Sequence, residues 1–226
     1  MNILFKTNGK PYTPRFVKTC VRKFGESYNK TMCKVINNSR DGLNKEIFHR
    51  NVAILMPNFL MGRAGPFKGV KYVDGNVIDP KGQIAACWDS IGKQAVELRK
   101  FINKHHKGFR GRVIIKAPPA VQKKIASQLM LLLTQLSSIC WTENSFGLVG
   151  SSKVLFAVLP EVALPIDNAE WRKVFRTIDY DAIITKMADE IKSWEMSTGT
   201  KLESCDPGGC LTLPGIYNVM AMKARP

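Results

Sequence analysis

Apolar residues recur at helical spacing in several stretches of the chain. Thr13-Pro14 reads as an N-cap followed by proline at the first helical position, opening a helix that runs to about Gly25 with Phe16, Val17, Cys20, Val21 and Phe24 on its apolar face. From about Ala85 to His105, Trp88, Ile91, Ala95, Leu98 and Ile102 mark a second helix. It ends in Lys104-His105-His106-Lys107-Gly108, which puts cations on the negative end of the dipole before a glycine stop. A third, from Val121 to about Ser138, is apolar nearly all round in its second half and so belongs at the centre of a core. A last amphipathic helix, about Asp181 to Met196, carries Ile184, Met187, Ile191 and Trp194 on one face. Between Asn51 and Lys81 the pattern breaks: Val52–Met56 reads as a short strand, and the glycines and prolines after it as loops or a hairpin. Pro118-Pro119 marks a further break. The expected fold is mainly α, with two helical lobes, 1–118 and 119–226, around a cleft, and a small irregular or β insertion.

Charge changes this picture more than composition does. Of a net +16, residues 1–124 hold 25 Lys/Arg against 7 Asp/Glu, while residues 125–226 hold 9 against 11. One half is a polycation and the other is close to neutral. Solubility does not require such asymmetry; a surface that displaces counterions from a polyphosphate does. Arg15, Lys18 and Arg22 fall at i, i+3 and i+7 on the first helix as a basic stripe, and Arg110 and Arg112 extend the Lys104–Lys107 run. These residues are the candidate DNA contacts of the basic half. An anionic membrane is the weaker partner, because no segment pairs a basic face with bulky exposed apolar residues.

No run of about 18 apolar residues appears, and Met1–Lys6 has neither the apolar core nor the cleavage site of a secretory signal. The expected location is the cytosol, or a nucleus where there is one. The six cysteines are scattered, which suits reduced thiols; only Cys205 and Cys210 are close enough to suggest a metal, and Pro207-Gly208-Gly209 between them reads as a turn. His105 and His106 point about 100° apart on a helix and suit capping or phosphate contact. Neither metal nor cofactor is expected.

The segment richest in chemistry is Phe146-Gly147-Leu148-Val149-Gly150-Ser151-Ser152-Lys153-Val154, followed after a short helix by Leu164-Pro165-Ile166-Asp167. A glycine-punctuated turn opening onto a helix N-terminus exposes backbone N–H groups that can hold a phosphate. Asp167 is a lone carboxylate in apolar surroundings at the start of the next helical stretch.

At these residues the chain resembles the helix-hairpin-helix DNA glycosylase superfamily. Val149-Gly150-Ser151-Ser152-Lys153-Val154 is similar to its hairpin, and Pro165-Ile166-Asp167 to its aspartate motif. The resemblance implies base excision from double-stranded DNA by a monomer, with Asp167 stabilising the cationic sugar and activating water. It makes Gly147, Gly150, Ser151 and Ser152 the backbone-binding residues. Counting from Gly150, Ser152 stands where bifunctional members carry a nucleophilic lysine and Lys153 lies one place later. That implies a monofunctional enzyme, with Lys153 as clamp or electrostatic helper. The alternatives are a glycosylase-fold enzyme that modifies bases by group transfer, similar to phage thymine-hypermodification proteins, and a non-catalytic DNA-binding module. For the flipped base, Trp88, Trp141, Trp171, Phe59 and Tyr72 are candidate pocket aromatics, each with a core role as the alternative.

Overall fold

The computed structural model describes residues 3–24, 26–40 and 42–225, without the side chains of 26 and 27. The protein is mainly helical. Thr13 accepts the Phe16 N–H and Pro14 takes the first turn of α1 (Pro14–Lys23), whose Val17 and Val21 are buried. After α2 (Glu26–Asn38) comes α3 (Lys45–Asn58), capped by Asn44 through the Ile47 N–H.

The strand expected at Val52–Met56 lies inside α3. Phe48, Val52, Leu55 and Met56 are all buried and repeat at i, i+4, i+7 and i+8. The continuous apolar run hid this stripe, because a short buried run carries no period of its own. The insertion that follows is an antiparallel pair, β1 (Lys71–Val73) with β2 (Asn76–Ile78), closed by Asp74-Gly75 with φ of 49° and 82°. Two consecutive left-handed residues make the tight turn that Asp-Gly favours.

Asp79 caps α4 (Gln83–His105), accepting the N–H groups of Gln83, Ile84 and Ala85. A short α5 (Val113–Lys116) leads through Pro118 into α6 (Pro119–Ser137), with Pro119 at the first helical position. Then come α7 (Leu148–Val158), a π-helical turn at Glu170–Phe175, α8 (Tyr180–Thr198), a 3-10 turn at Leu202–Cys205 and α9 (Leu213–Lys223). Every residue of α7 from Val149 to Val158 is buried, which makes it the axis of the molecule. It packs against α3 on one side and α6 on another, and α6 in turn packs against α4 and α8.

The buried residues form one cluster that runs across Pro118-Pro119. Leu4 donates to Glu190 of α8, and α1 packs on α9, so the two ends of the chain meet. Two arginines of the basic half are consumed by this packing. Arg99 pairs with Glu161 at 2.8 Å and donates to the Val158 carbonyl at 2.7 Å, capping the C-terminal end of α7. Arg112, 8% exposed, binds Glu195 of α8 and bridges both oxygens of Glu203. Its place is internal.

The expectation of reduced cysteines is corrected at one pair. Cys33 of α2 and Cys210, just before α9, form a disulfide between residues 177 positions apart, with Cα atoms 5.5 Å from each other. Cys20, Cys87, Cys140 and Cys205 are free thiols. The Pro207–Gly209 turn is held by Asp206, which accepts the N–H groups of Gly208, Cys210 and Leu211. Among the described residues, no helix is long and apolar enough to cross a membrane.

Removing Arg112 strands two carboxylates that have lost their partner. Arg112→Ala is expected to cost about 3 kcal/mol, seen as a lower denaturation midpoint at unchanged m-value. Arg15→Ala, on the exposed face of α1, should change stability by less than about 0.5 kcal/mol.

Candidate active site

The segment Leu164–Asp167 crosses the centre of the molecule without regular structure, so its backbone groups need other partners. Three side chains supply them. The Ser152 hydroxyl of α7 accepts the Ile166 N–H at 3.1 Å. The Tyr180 hydroxyl donates to the Leu164 carbonyl and accepts its N–H, both at 2.8 Å. Asn218 of α9 donates to the Pro165 carbonyl at 2.6 Å. Asp167 is thereby delivered at a fixed point beside α7.

Asp167 and Glu170 then cap the next helical turn reciprocally. Asp167 Oδ1 accepts the Glu170 N–H at 2.9 Å, and Glu170 Oε2 accepts the Asp167 N–H at 2.8 Å. Arg225, beyond α9, pairs with Asp167 Oδ2 and stands 3.7 Å from Glu170 Oε2. The Asp167 side chain is 29% exposed and that of Glu170 is 1% exposed.

Lys153 lies in the second turn of α7, 5% exposed, with its ammonium 4.7 Å from the centre of the Phe59 ring. Phe59 meets Tyr28 edge-on at 5.3 Å, and the Tyr28 hydroxyl donates to Asn218 Oδ1. Burial pulls the Lys153 amine down to about 8, against the opposing pull of Asp167 and Glu170. Burial pushes Glu170 up to about 8, and the charge of Asp167 adds to that rise. Burial also raises Tyr28, with Glu170 reinforcing it. The Lys153 ammonium thus rests on Phe59 within the fields of Asp167 and Glu170, and the pKa values of Lys153 and Glu170 both stand at about 8.

Of the residues expected to carry chemistry, Asp167 and Lys153 are brought together here. The glycines and serines of the motif have interior positions. Helix α7 begins at Leu148, so Gly150, Ser151, Ser152 and Lys153 lie on the helix, and the connection from α6 is the loop 138–147. Gly147, at φ 79°, faces the Ser137 carbonyl so closely that a Cβ would meet its oxygen at 2.0 Å. Gly150 packs on Cys140, where a Cβ would stand 2.8 Å from the Cys140 Cβ. Ser151 is buried with its hydroxyl unpartnered, and Ser152 pins Ile166. Arg15, Lys18 and Arg22 line the exposed face of α1, and Arg22 borders a groove of about 680 Å³ shared with Lys30 and Lys34 of α2. Arg110 is half-buried and bonds the Glu203 carbonyl at 3.4 Å.

Glu170, Asn218, Arg225 and Tyr28 were not singled out from the sequence. Asp167-x-x-Glu170 has the spacing of a capping box and could have flagged Glu170. Asn218, Arg225 and Tyr28 come from far along the chain, and no local pattern marks them. No protein-family model, no curated protein and no solved structure matches the chain.

Two measurements check this geometry. Gly147→Ala should destabilise by more than about 2 kcal/mol, since both the left-handed φ and the Ser137 carbonyl oppose a methyl group. Glu170 holds its proton to a higher pH in the folded chain than in the unfolded one. Its contribution is therefore complete below pH 4.5 and lost as pH rises to about 8. Lys153, shifted the other way, contributes above 10.5 and loses that as pH falls to about 8. Glu170→Gln should accordingly match the wild type in Tm near pH 4.5 and exceed it by several degrees at pH 8, at about 2–4 °C per kcal/mol. A pH-independent difference would contradict the assignment.

Proposed function

We propose that this protein is a DNA N-glycosylase that removes a damaged or modified base flipped out of a duplex. The observation that supports it is Asp167, a carboxylate 29% exposed and held on a fixed frame, within the electrostatic reach of the buried Lys153 amine. A flipped nucleotide presents its sugar to such a site. As the bond between C1′ and the base stretches, positive charge develops on the sugar. A rigid carboxylate stabilises that charge in poorly hydrated surroundings and accepts a proton from the attacking water.

Arg225 occupies Asp167 with its own positive charge, the sign the sugar acquires in the transition state. Engaging substrate thus requires the Arg225 contact to open. The exposed basic stripe of Arg15, Lys18 and Arg22 suits contact with the phosphates of the duplex, with a salt-dependent affinity. Arg112 has no part in that contact, because its guanidinium is committed to Glu195 and Glu203.

A second reading is favoured by the depressed pKa of Lys153. An amine with a pKa of about 8 is partly unprotonated at physiological pH and would attack C1′ as the N-glycosidic bond breaks, the base leaving with the bonding pair and taking up a proton. The Ser152 position is closed to this role because its hydroxyl is spent on the backbone.

Incubation with duplexes carrying varied bases, followed by alkali to cut abasic sites, tests the reading. Asp167→Asn should lower cleavage at least about 100-fold while duplex binding stays within about twofold. Cleavage that survives in Asp167→Asn would exclude this mechanism, and binding without any cleavage would leave a DNA-binding module. Borohydride trapping separates the two chemistries: an adduct formed by the wild type and lost in Lys153→Ala indicates the covalent route, and no adduct indicates hydrolysis.

A further inference from the structure

A separate cavity of about 430 Å³ opens between the α6–α7 loop and the π-helical turn, adjoining the active-site segment through Asn168. On the loop side Phe146 is 57% exposed, and the 52% exposed Trp141 meets it edge-on at 5.4 Å. Two large aromatic rings are thus held in solvent beside the same opening. Ordinary burial preferences would not leave them there. Trp171, 4% exposed, also lines the cavity, and its indole N–H, itself buried, has no acceptor among the described residues. An unpartnered buried donor is costly unless something else supplies the acceptor.

The rim is cationic although this half of the chain is not. Arg172 and Arg176 both line the cavity, and among the described residues no Asp or Glu does. Arg172 is braced by a 2.9 Å bond to the Asn144 carbonyl, which ties the two walls together. Among the described residues, four non-glycine residues have positive φ, and two of them, Phe146 at 49° and Arg176 at 56°, line this one cavity. Arg176 is the left-handed C-cap of the π-helical turn, its N–H bonding the Trp171 carbonyl, so its position on the rim is set by that turn.

We propose that this cavity is a nucleobase pocket for one unpaired nucleotide. Phe146 stacks on the base, the Trp171 N–H donates to a ring nitrogen or carbonyl of that base, and Arg172 and Arg176 take the flanking phosphates. Stacking faces, a single directed donor and guanidinium groups are the combination that holds single-stranded nucleic acid. The proposal rests on the nucleic-acid part of the reading above, and not on base excision.

The test compares two labelled oligomers of about eight units: oligo-dT, and the same sugar-phosphate chain carrying abasic spacers throughout. Fluorescence anisotropy on the full chain should show the base-bearing oligomer binding at least about tenfold tighter, within the ~5–150-fold range of one stacked base. Phe146→Ala should bring oligo-dT down to the affinity of the abasic chain. Trp171→Phe, which keeps the ring and removes the donor, should weaken oligo-dT alone. Arg176→Ala should weaken both chains and reduce the salt slope by about one. Equal binding of the two oligomers to the wild type would overturn the proposal, as would a Phe146→Ala variant that keeps the difference. An oligo-dT preference in a protein that excises no base would remove the glycosylase reading and leave the pocket standing.

Discussion

Helix α7 is buried from Val149 to Val158, so the polar groups it carries or touches draw their partners from within the protein, the Ser151 hydroxyl being the exception among the described residues. A buried charge or an unmade hydrogen bond costs several kcal/mol, so this one requirement organises much of the molecule. The Ser152 hydroxyl holds the Leu164–Asp167 crossing against the helix. At the C-terminal end, Arg99 caps the Val158 carbonyl and neutralises Glu161. Lys153 is the hardest group to accommodate. It is met by Phe59 on one side and by the fields of Asp167 and Glu170 on the other.

The active-site candidate follows from that accommodation. Burial disfavours the charged forms of both Lys153 and Glu170, so their pKa values converge at about 8 from opposite directions. Arg225 closes the set and restores charge balance around Asp167. Under the proposed mechanism, the same Arg225 contact that balances Asp167 has to be exchanged for the cationic sugar.

The charge asymmetry takes on a different meaning in three dimensions. Arg99 and Arg112 belong to the basic half by sequence, yet both neutralise carboxylates of the other half in the interior. The cations of α1 stay at the surface, and those of the π-helical turn, from the nearly neutral half, gather round the aromatic cavity. Net charge per half is therefore a poor guide to where an anionic ligand sits; what matters is which cations packing leaves unspent.

The sequence by itself determined the elements whose signals are local. The cap and proline of α1 and the apolar faces of α4 and α8 each need only a few neighbouring residues. Helix α6, expected to be buried nearly all round in its second half, instead leaves Leu131 46% exposed, and α7 takes the centre. The sequence also placed Asp167 at the head of a helical turn. It did not determine that Val52–Met56 is helical, because a continuous apolar run satisfies a buried helix and a buried strand alike. Nor could it pair Cys33 with Cys210, spend Arg112 on Glu195 and Glu203, or bring Tyr28, Asn218 and Arg225 to Lys153 and Asp167. Those are contacts between residues tens to nearly two hundred positions apart, and only the packing of helices around α7 sets them. Periodicity reports which face of an element is buried; it carries no record of what that face is buried against.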